Sequence, residues 1–261
     1  GASLDPSAGI PLPMTPTGGG FYAYPNPYRL PDPRARGMLQ YTGEHFMRWS
    51  GDNTWFLKTG TDSPENFLAF AEFDQTSDLG GLVPNFLHRY AEHEHDSLAS
   101  DPTWKNGRGR GIFGALNYLA SVGVNSIYCL TYNVNGDGDD VWPFRAPNDR
   151  LRYDCSKLAQ WQRVFNHASD LGIQLHLVLE EVENAHDLGN ASDVRRLIYY
   201  REMGARFWHC RAVQWNLGEE SPHSTNELKA MAARVRALDP YRHPIAFHTE
   251  FNEEERYGGL Y

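Results

Sequence analysis

Residues 155–179 read CSKLAQWQRVFNHASDLGIQLHLVL, and this stretch decides the fold class. Leu158, Trp161, Val164, Phe165, Ala168 and Leu171 recur at helical spacing and form one apolar stripe. Gly172 stops the helix, because glycine takes the left-handed conformation that closes a helix end. Ile173–Leu179 (IQLHLVL) then begins at once, an apolar run of strand length. A helix feeding directly into a buried strand is part of a βαβ unit.

The pattern repeats outward from there. Asn125–Thr131 (NSIYCLT) is a strand, preceded by a helix near Ile112–Ser121 that ends at Gly123. Ala212–Leu217 (AVQWNL) is another, after a helix running roughly from Ser192 to Trp208. Pro244–Thr249 (PIAFHT) is a further strand, and the helix before it carries Leu228, Met231, Ala232, Val235 and Leu238 and ends before Pro240. The earliest expected strand is Thr54–Thr59 (TWFLKT). After it, Ser63-Pro64-Glu65 places a capping serine ahead of a proline at the first helical position. Phe67, Leu68, Phe70 and Ala71 give that expected helix its apolar spacing.

Strand–helix alternation at this pitch implies a parallel sheet of α/β class. Right-handed crossovers leave an open doubly wound sheet or a closed (β/α)8 TIM-type barrel. Five strands against the eight of a barrel read as its first five βα units, which is the architecture expected here. Upstream, Met38–Tyr41 and His45–Trp49 flank Thr42-Gly43-Glu44 and read as a β-hairpin. Residues 1–37 are rich in proline and glycine and read as an extended arm. The expected division is an arm with its connecting hairpin over residues 1–50 and barrel over residues 51–261.

Composition limits the functions open to the chain. Its 261 residues carry a net charge of −9, with 7 Trp, 14 Tyr and 13 Phe, which is too aromatic for a disordered chain. The acidic balance argues against nucleic acid or an anionic membrane as partner. No stretch approaches the ~20 apolar residues that span a bilayer. Cys129, Cys155 and Cys210 permit at most one disulfide and fit no metal spacing. High Trp and Tyr with little Lys suits a carbohydrate-facing protein outside the cell or in the periplasm.

In parallel α/β architectures the active site lies at the carboxyl ends of the strands. Each expected strand here ends in acids or amides. Asp62 follows the first, and Asn133, Asn135, Asp137 and Trp142 follow the second. Glu181, Asn184 and His186 follow the third; Asn216, Glu219 and Glu220 close the fourth; His248 and Glu250 close the fifth. Such a cleft suits sugar chemistry, in which carboxylates supply acid, base or nucleophile and aromatic faces stack on pyranose rings. His248 is expected to hydrogen-bond substrate or a carboxylate. Along the fourth strand, alternation puts Gln214, Asn216, Gly218 and Glu220 on one face and Trp215, Leu217 and Glu219 on the other. The bulky set belongs against the helices, so Glu220 is the expected inward acid.

Gln214–Glu220, QWNLGEE, resembles the fourth-strand signature W-x-x-x-N-E of the retaining (β/α)8 glycoside hydrolases. The resemblance implies general acid/base catalysis by Glu220. Glu219 stands where that clan has asparagine, which leaves Glu219 as the alternative acid. The segments FLKTGTDSPENFLAFAEFD, GRGIFGALNYLASVGVNSIYCLTYNVNGDGDDVWPF, RYDCSKLAQW, LHLVLEEVEN and QWNLGEES resemble a group of secreted bacterial endoglucanases and glycosidases. That group carries an immunoglobulin-like domain before the barrel and a collagen-binding domain after it. The resemblance implies retaining hydrolysis of a polysaccharide or oligosaccharide. It also implies a nucleophilic glutamate after a seventh strand, on further sequence or on a second polypeptide completing the barrel. Asp62, Asn133, Asp137, Trp142, Glu181, Asn184, Asn216 and His248 are the expected substrate-binding set. The alternative is a non-catalytic glycan-binding or structural subunit.

Other motifs read as architecture. Gly109-Arg110-Gly111-Ile112-Phe113-Gly114 matches G-x-G-x-x-G but follows no strand, as a dinucleotide fingerprint must. Asn133, Asn135 and Asp137 before Gly138 copy the opening of a calcium loop, but position twelve is Phe144 rather than Glu, so a cleft-shaping loop is the preferred reading and no cofactor is expected. His93-Glu94-His95-Asp96 has metal-ligand residue types whose neighbours diverge on a helix, so no metal is expected there either. Arg195 and Arg196 read as solvated surface.

Overall fold

The computed structural model describes residues 25–61, 64–80, 87–136 and 138–249. Two sheets organise them. The first is antiparallel, of strands β1 (Leu39–Gln40), β2 (Met47–Trp49) and β3 (Trp55–Phe56). The second is parallel, of β4 (Gly60–Thr61), β5 (Ser126–Leu130), β6 (Gln174–Val178), β7 (Val213–Asn216) and β8 (Ile245–Ala246), in that spatial order. Helices α1 (Arg110–Ser121), α2 (Cys155–Leu171), α3 (Val194–Phe207) and α4 (Thr225–Leu238) make the four crossovers. The α/β class and the parallel sheet match the expectation. A fifth helix after β8 would fall outside the described residues.

The helix ends are specified locally. Asp154 caps α2 by accepting the Ser156 and Lys157 N–H groups, both at 3.0 Å, and Gly172 closes it with φ +80°. Ser224 and Glu227 form a reciprocal capping box on α4. The glycines of Gly109–Gly114 serve close packing. A Cβ on Gly111 would strike the Arg89 carbonyl, and one on Gly114 the His93 carbonyl. They let α1 lie directly on the segment that precedes it.

The two faces of the parallel sheet differ. Ile127, Cys129, Leu175, Leu177, Val213 and Trp215 are buried in the main core with the helices. The opposite face carries Ser126, Tyr128, Gln174, His176 and Gln214. A polar ladder crosses it: Ser126 Oγ donates to Gln174 Oε1 at 2.9 Å, and Gln174 Nε2 donates to Gln214 Oε1 at 3.0 Å. The antiparallel sheet packs at the amino ends of the strands, where Leu39, Trp49 and Phe56 cluster with Ala212 and the Leu39 N–H donates to Arg211 O at 2.8 Å. The carboxyl ends stay clear of it.

Two expected elements differ. Thr54–Thr59 does not open the parallel sheet. A tight turn with Asn53 at φ +58° folds β3 back onto β2, and the parallel sheet begins only at Gly60. The helix expected from Ser63-Pro64-Glu65 is a series of turns, with Phe67 N–H donating to Pro64 O and Ala69 N–H to Asn66 O. Phe70 then pairs with His88 as an isolated bridge. His88 Nε2 lies 2.7 Å from Asn66 Oδ1, and Phe67, Phe70 and Phe73 enter an aromatic cluster with Tyr90 and Trp104. These tertiary contacts outweigh helical spacing.

Candidate active site

The carboxyl ends of β6, β7 and β8 bring together one group of polar side chains. Their backbones are tied first. Glu219 N–H donates to Glu180 O at 3.0 Å, and His248 N–H donates to Gly218 O at 3.0 Å. The loop after β7 is thereby fixed to its neighbours on both sides.

Within this frame Glu219 is the acid that turns in. It is 7% exposed, and its Oε1 lies 3.1 Å from His248 Nδ1. Tyr128 Oη, rising from β5, lies 3.3 Å from the same nitrogen. The His248 side chain is 44% exposed, so the cluster reaches solvent through the imidazole. Glu220 is exposed, with φ +46°. The alternation expected along the fourth strand therefore does not extend to the acids. Extended pairing ends at Asn216, whose Oδ1 accepts the Gly218 N–H at 3.2 Å, and the chain has left strand geometry before Glu219.

Glu180 is a second buried carboxylate, with a different setting. Its Oε2 accepts from Arg196 Nη1 at 2.8 Å and its Oε1 lies 3.0 Å from His223 Nε2. Arg196 also donates to the carbonyls of Ala185 and Gly189. Burial lowers the tendency of Arg196 to hold its proton, but the Glu180 charge overrides it and keeps the guanidinium above its usual range. Arg196 is thus no surface residue. It occupies the buried stripe of α3 with Tyr199, Tyr200 and Met203, a position consistent with its helical spacing.

The remaining expected residues fall into three groups. Asp62 and Asp137, like Glu250, lie outside the described residues. Asn133, Asn184 and Asn216 stand near the strand ends, and each gives its side-chain oxygen to a backbone N–H. Asn133 Oδ1 accepts the Gly136 N–H at 2.8 Å, and Asn184 Oδ1 accepts the Val134 N–H at 2.8 Å. Trp142 is fully buried beneath Lys157, whose Nζ lies 4.5 Å from the ring centroid. Both faces of that ring are closed to a sugar, so Trp142 is packing and no stacking platform. Burial brings the Lys157 ammonium down to about 7. Glu181 is buried under the loop after β5, where Gly136 abuts its carboxylate; any Cβ at Gly136 would strike Glu181 Oε2.

His176, on the polar face of β6, is a site neighbour that sequence reading missed. Its ring meets Tyr128 edge to face at 4.8 Å, and burial pushes its pKa down to about 3. Strand alternation, which puts Tyr128, His176 and Gln214 in one register row, was the available signal. Among the described residues, no group of three or more acidic, His or Cys side chains is arranged to hold a metal ion. None of the helices described is long and apolar enough to cross a membrane.

No protein-family model matches the chain, and no curated protein does. Solved structures do. A Bacteroides vulgatus ATCC 8482 protein superposes with a TM-score of 0.53 at 18% identity, covering 84% of this chain and 40% of its own. A glycoside hydrolase family 5 protein from the same organism gives 0.52 at 14% identity, covering 86% and 43%. A further structure, described as a glycoside hydrolase, gives 0.51 at 17%, covering 83% and 42%. The class defined over the described residues is thus the parallel α/β fold found in glycoside hydrolases. The chain spans about 40% of the length of these relatives.

Proposed function

We propose that this chain is part of a retaining glycoside hydrolase of the (β/α)8 type, and that Glu219 is its general acid/base. One observation carries the reading: a buried carboxylate at the carboxyl end of β7 is held by an imidazole that itself reaches solvent. A group of this kind can give a proton to a leaving oxygen and later take one from water. Glu220, turned outward, is the weaker candidate for that role. Asp62, Asp137 and His248 are proposed to face the sugar, and Glu181 to set the loop after β5 at the edge of that cleft. Asn133, Asn184 and Asn216 would act through the loops they brace.

Retention needs a second carboxyl about 5–5.5 Å from the first. We assign it to a further βα segment packed against β8, in the same polypeptide or a second one. The edge supports this. A groove of about 800 Å³ lined by Met47, Gln214, Ile245 and Phe247 runs beside β8, and one of about 350 Å³ separates β8 from α4. Residues 1–50 are proposed as the arm and connecting hairpin, and the protein as secreted or periplasmic.

The test is hydrolysis of a glycoside panel by the full-length protein. Glu219→Gln is expected to lower turnover of unactivated substrates by about 10²–10⁴-fold. Aryl glycosides with good leaving groups should lose much less. Full turnover in Glu219→Gln together with loss in Glu220→Gln would return the role to Glu220. Saturable glycan binding without cleavage would make the chain a binding module.

A further inference from the structure

His248 Nδ1 is the meeting point of two groups from two other strands: Glu219 Oε1 at 3.1 Å and Tyr128 Oη at 3.3 Å. That nitrogen holds either one proton or one lone pair. With the proton present, it donates to the carboxylate, and a charge-assisted bond outcompetes one to a neutral phenol. With the lone pair present, it accepts, from Tyr128 O–H or from a protonated Glu219. The two neighbours therefore call for opposite states of one atom.

The backbone makes this contest fixed in space. His248 N–H is held by Gly218 O, and Ser221 N–H reaches back to His248 O at 3.3 Å, so histidine and glutamate move as one unit. Of the titratable groups facing His248, Glu219 comes from the loop after β7, Tyr128 from β5, and His176 from β6 behind Tyr128. His176 stays neutral at ordinary pH; burial dominates, and Lys58 and His248 itself push the same way.

We propose that His248 is the positioning residue for Glu219, with its ring tautomer setting which way the hydrogen bond at Oε1 points and Tyr128 as its competitor. The inference rests on the reading of Glu219 as the acid/base. With Nδ1 protonated, Glu219 is held as an acceptor. With Nδ1 bare, Glu219 is held as a donor, its proton already placed, or Tyr128 takes the nitrogen.

The test needs no activity. Histidine ring ¹⁵N spectra of the full chain report the tautomer directly, and His248→Ala assigns the resonance. At pH 7.5 the wild type is expected to show the Nδ1–H form. Glu219→Gln should shift the population towards Nε2–H, because the carboxylate that accepts from Nδ1 is gone. Tyr128→Phe should leave the Nδ1–H form in place. A wild-type ring in the Nε2–H form, or a tautomer indifferent to Glu219→Gln, overturns the proposal. If Glu219→Gln fails to fold, Glu219→Asp, whose carboxylate stands one methylene back from Nδ1, decides. A tautomer shift of the same sign is expected there, and an unchanged tautomer overturns the coupling. The functional reading fails separately: full cleavage by Glu219→Gln would sink the acid/base role while leaving a tautomer shift standing.

Discussion

The loops after β6 and β7 each bury a glutamate, and the two are used in opposite ways. Glu180 lies between Arg196 and His223, and Arg196 spends its other donors on loop carbonyls. A guanidinium keeps its proton at any ordinary pH, so it holds Glu180 in one fixed arrangement. Glu219 meets an imidazole that can donate or accept, and that imidazole is nearly half exposed. Burial alone does not mark a reactive acid. The partner does: a fixed cation makes a structural joint, and a switchable one leaves both protonation states within reach.

The sharpest way to break this contrast is to truncate each acid in turn. Glu180→Ala leaves Arg196 buried without its counter-charge and is expected to cost about 3–5 kcal/mol in denaturant unfolding. Trp142→Ala should cost about as much, because its ring is core. A small stability loss at Trp142 with a large loss of glycan affinity would restore it as a sugar platform.

Acid titration comes next in size. His176 has a folded pKa of about 3 against the ordinary 6.5. Between those values the unfolded chain binds a proton that the folded one refuses, so stability is intact above about 6.5 and falls as pH drops towards 3. The slope is at most about 1.4 kcal/mol per pH unit. His176→Phe should flatten that limb in melting curves taken across pH, which separates strand-interior acid sensitivity from that of the two loops. Gly136→Ala should cost about 1–3 kcal/mol, since a methyl there drives the loop after β5 off Glu181. Glu220→Gln closes the series, expected within about 0.5 kcal/mol in the same unfolding assay.

The parallel architecture was legible because its signals are local and redundant. The stripe from Leu158 to Ala168, the stop at Gly172 and the stripe from Leu228 to Leu238 are each read within a few residues. Alternation sorted Trp215 from Gln214 correctly for the same reason. It failed at Glu219 and Glu220 because the pleat ends at Asn216, and a backbone bond to the neighbouring strand's loop, not periodicity, aims the two acids. Arg196 is buried although its charge suggests surface, because it stands in the apolar stripe of α3 and meets Glu180 there. The turns at Pro64–Phe73 escaped because His88, Tyr90 and Trp104, all distant in sequence, decide them. Strand ends are where long-range contacts take over from local pattern, and the candidate site is built from strand ends.

The bond from the Glu219 N–H to the Glu180 carbonyl has an evolutionary consequence. It joins main chain to main chain, so it is indifferent to which side chain stands at position 219. Selection can therefore revise the reactive group without loosening the scaffold that aims it. The neighbouring position 180 has no such licence, because its side chain is itself the fastening. Position 219 is thus held by the demands of the reaction alone, and position 180 by the demands of the fold.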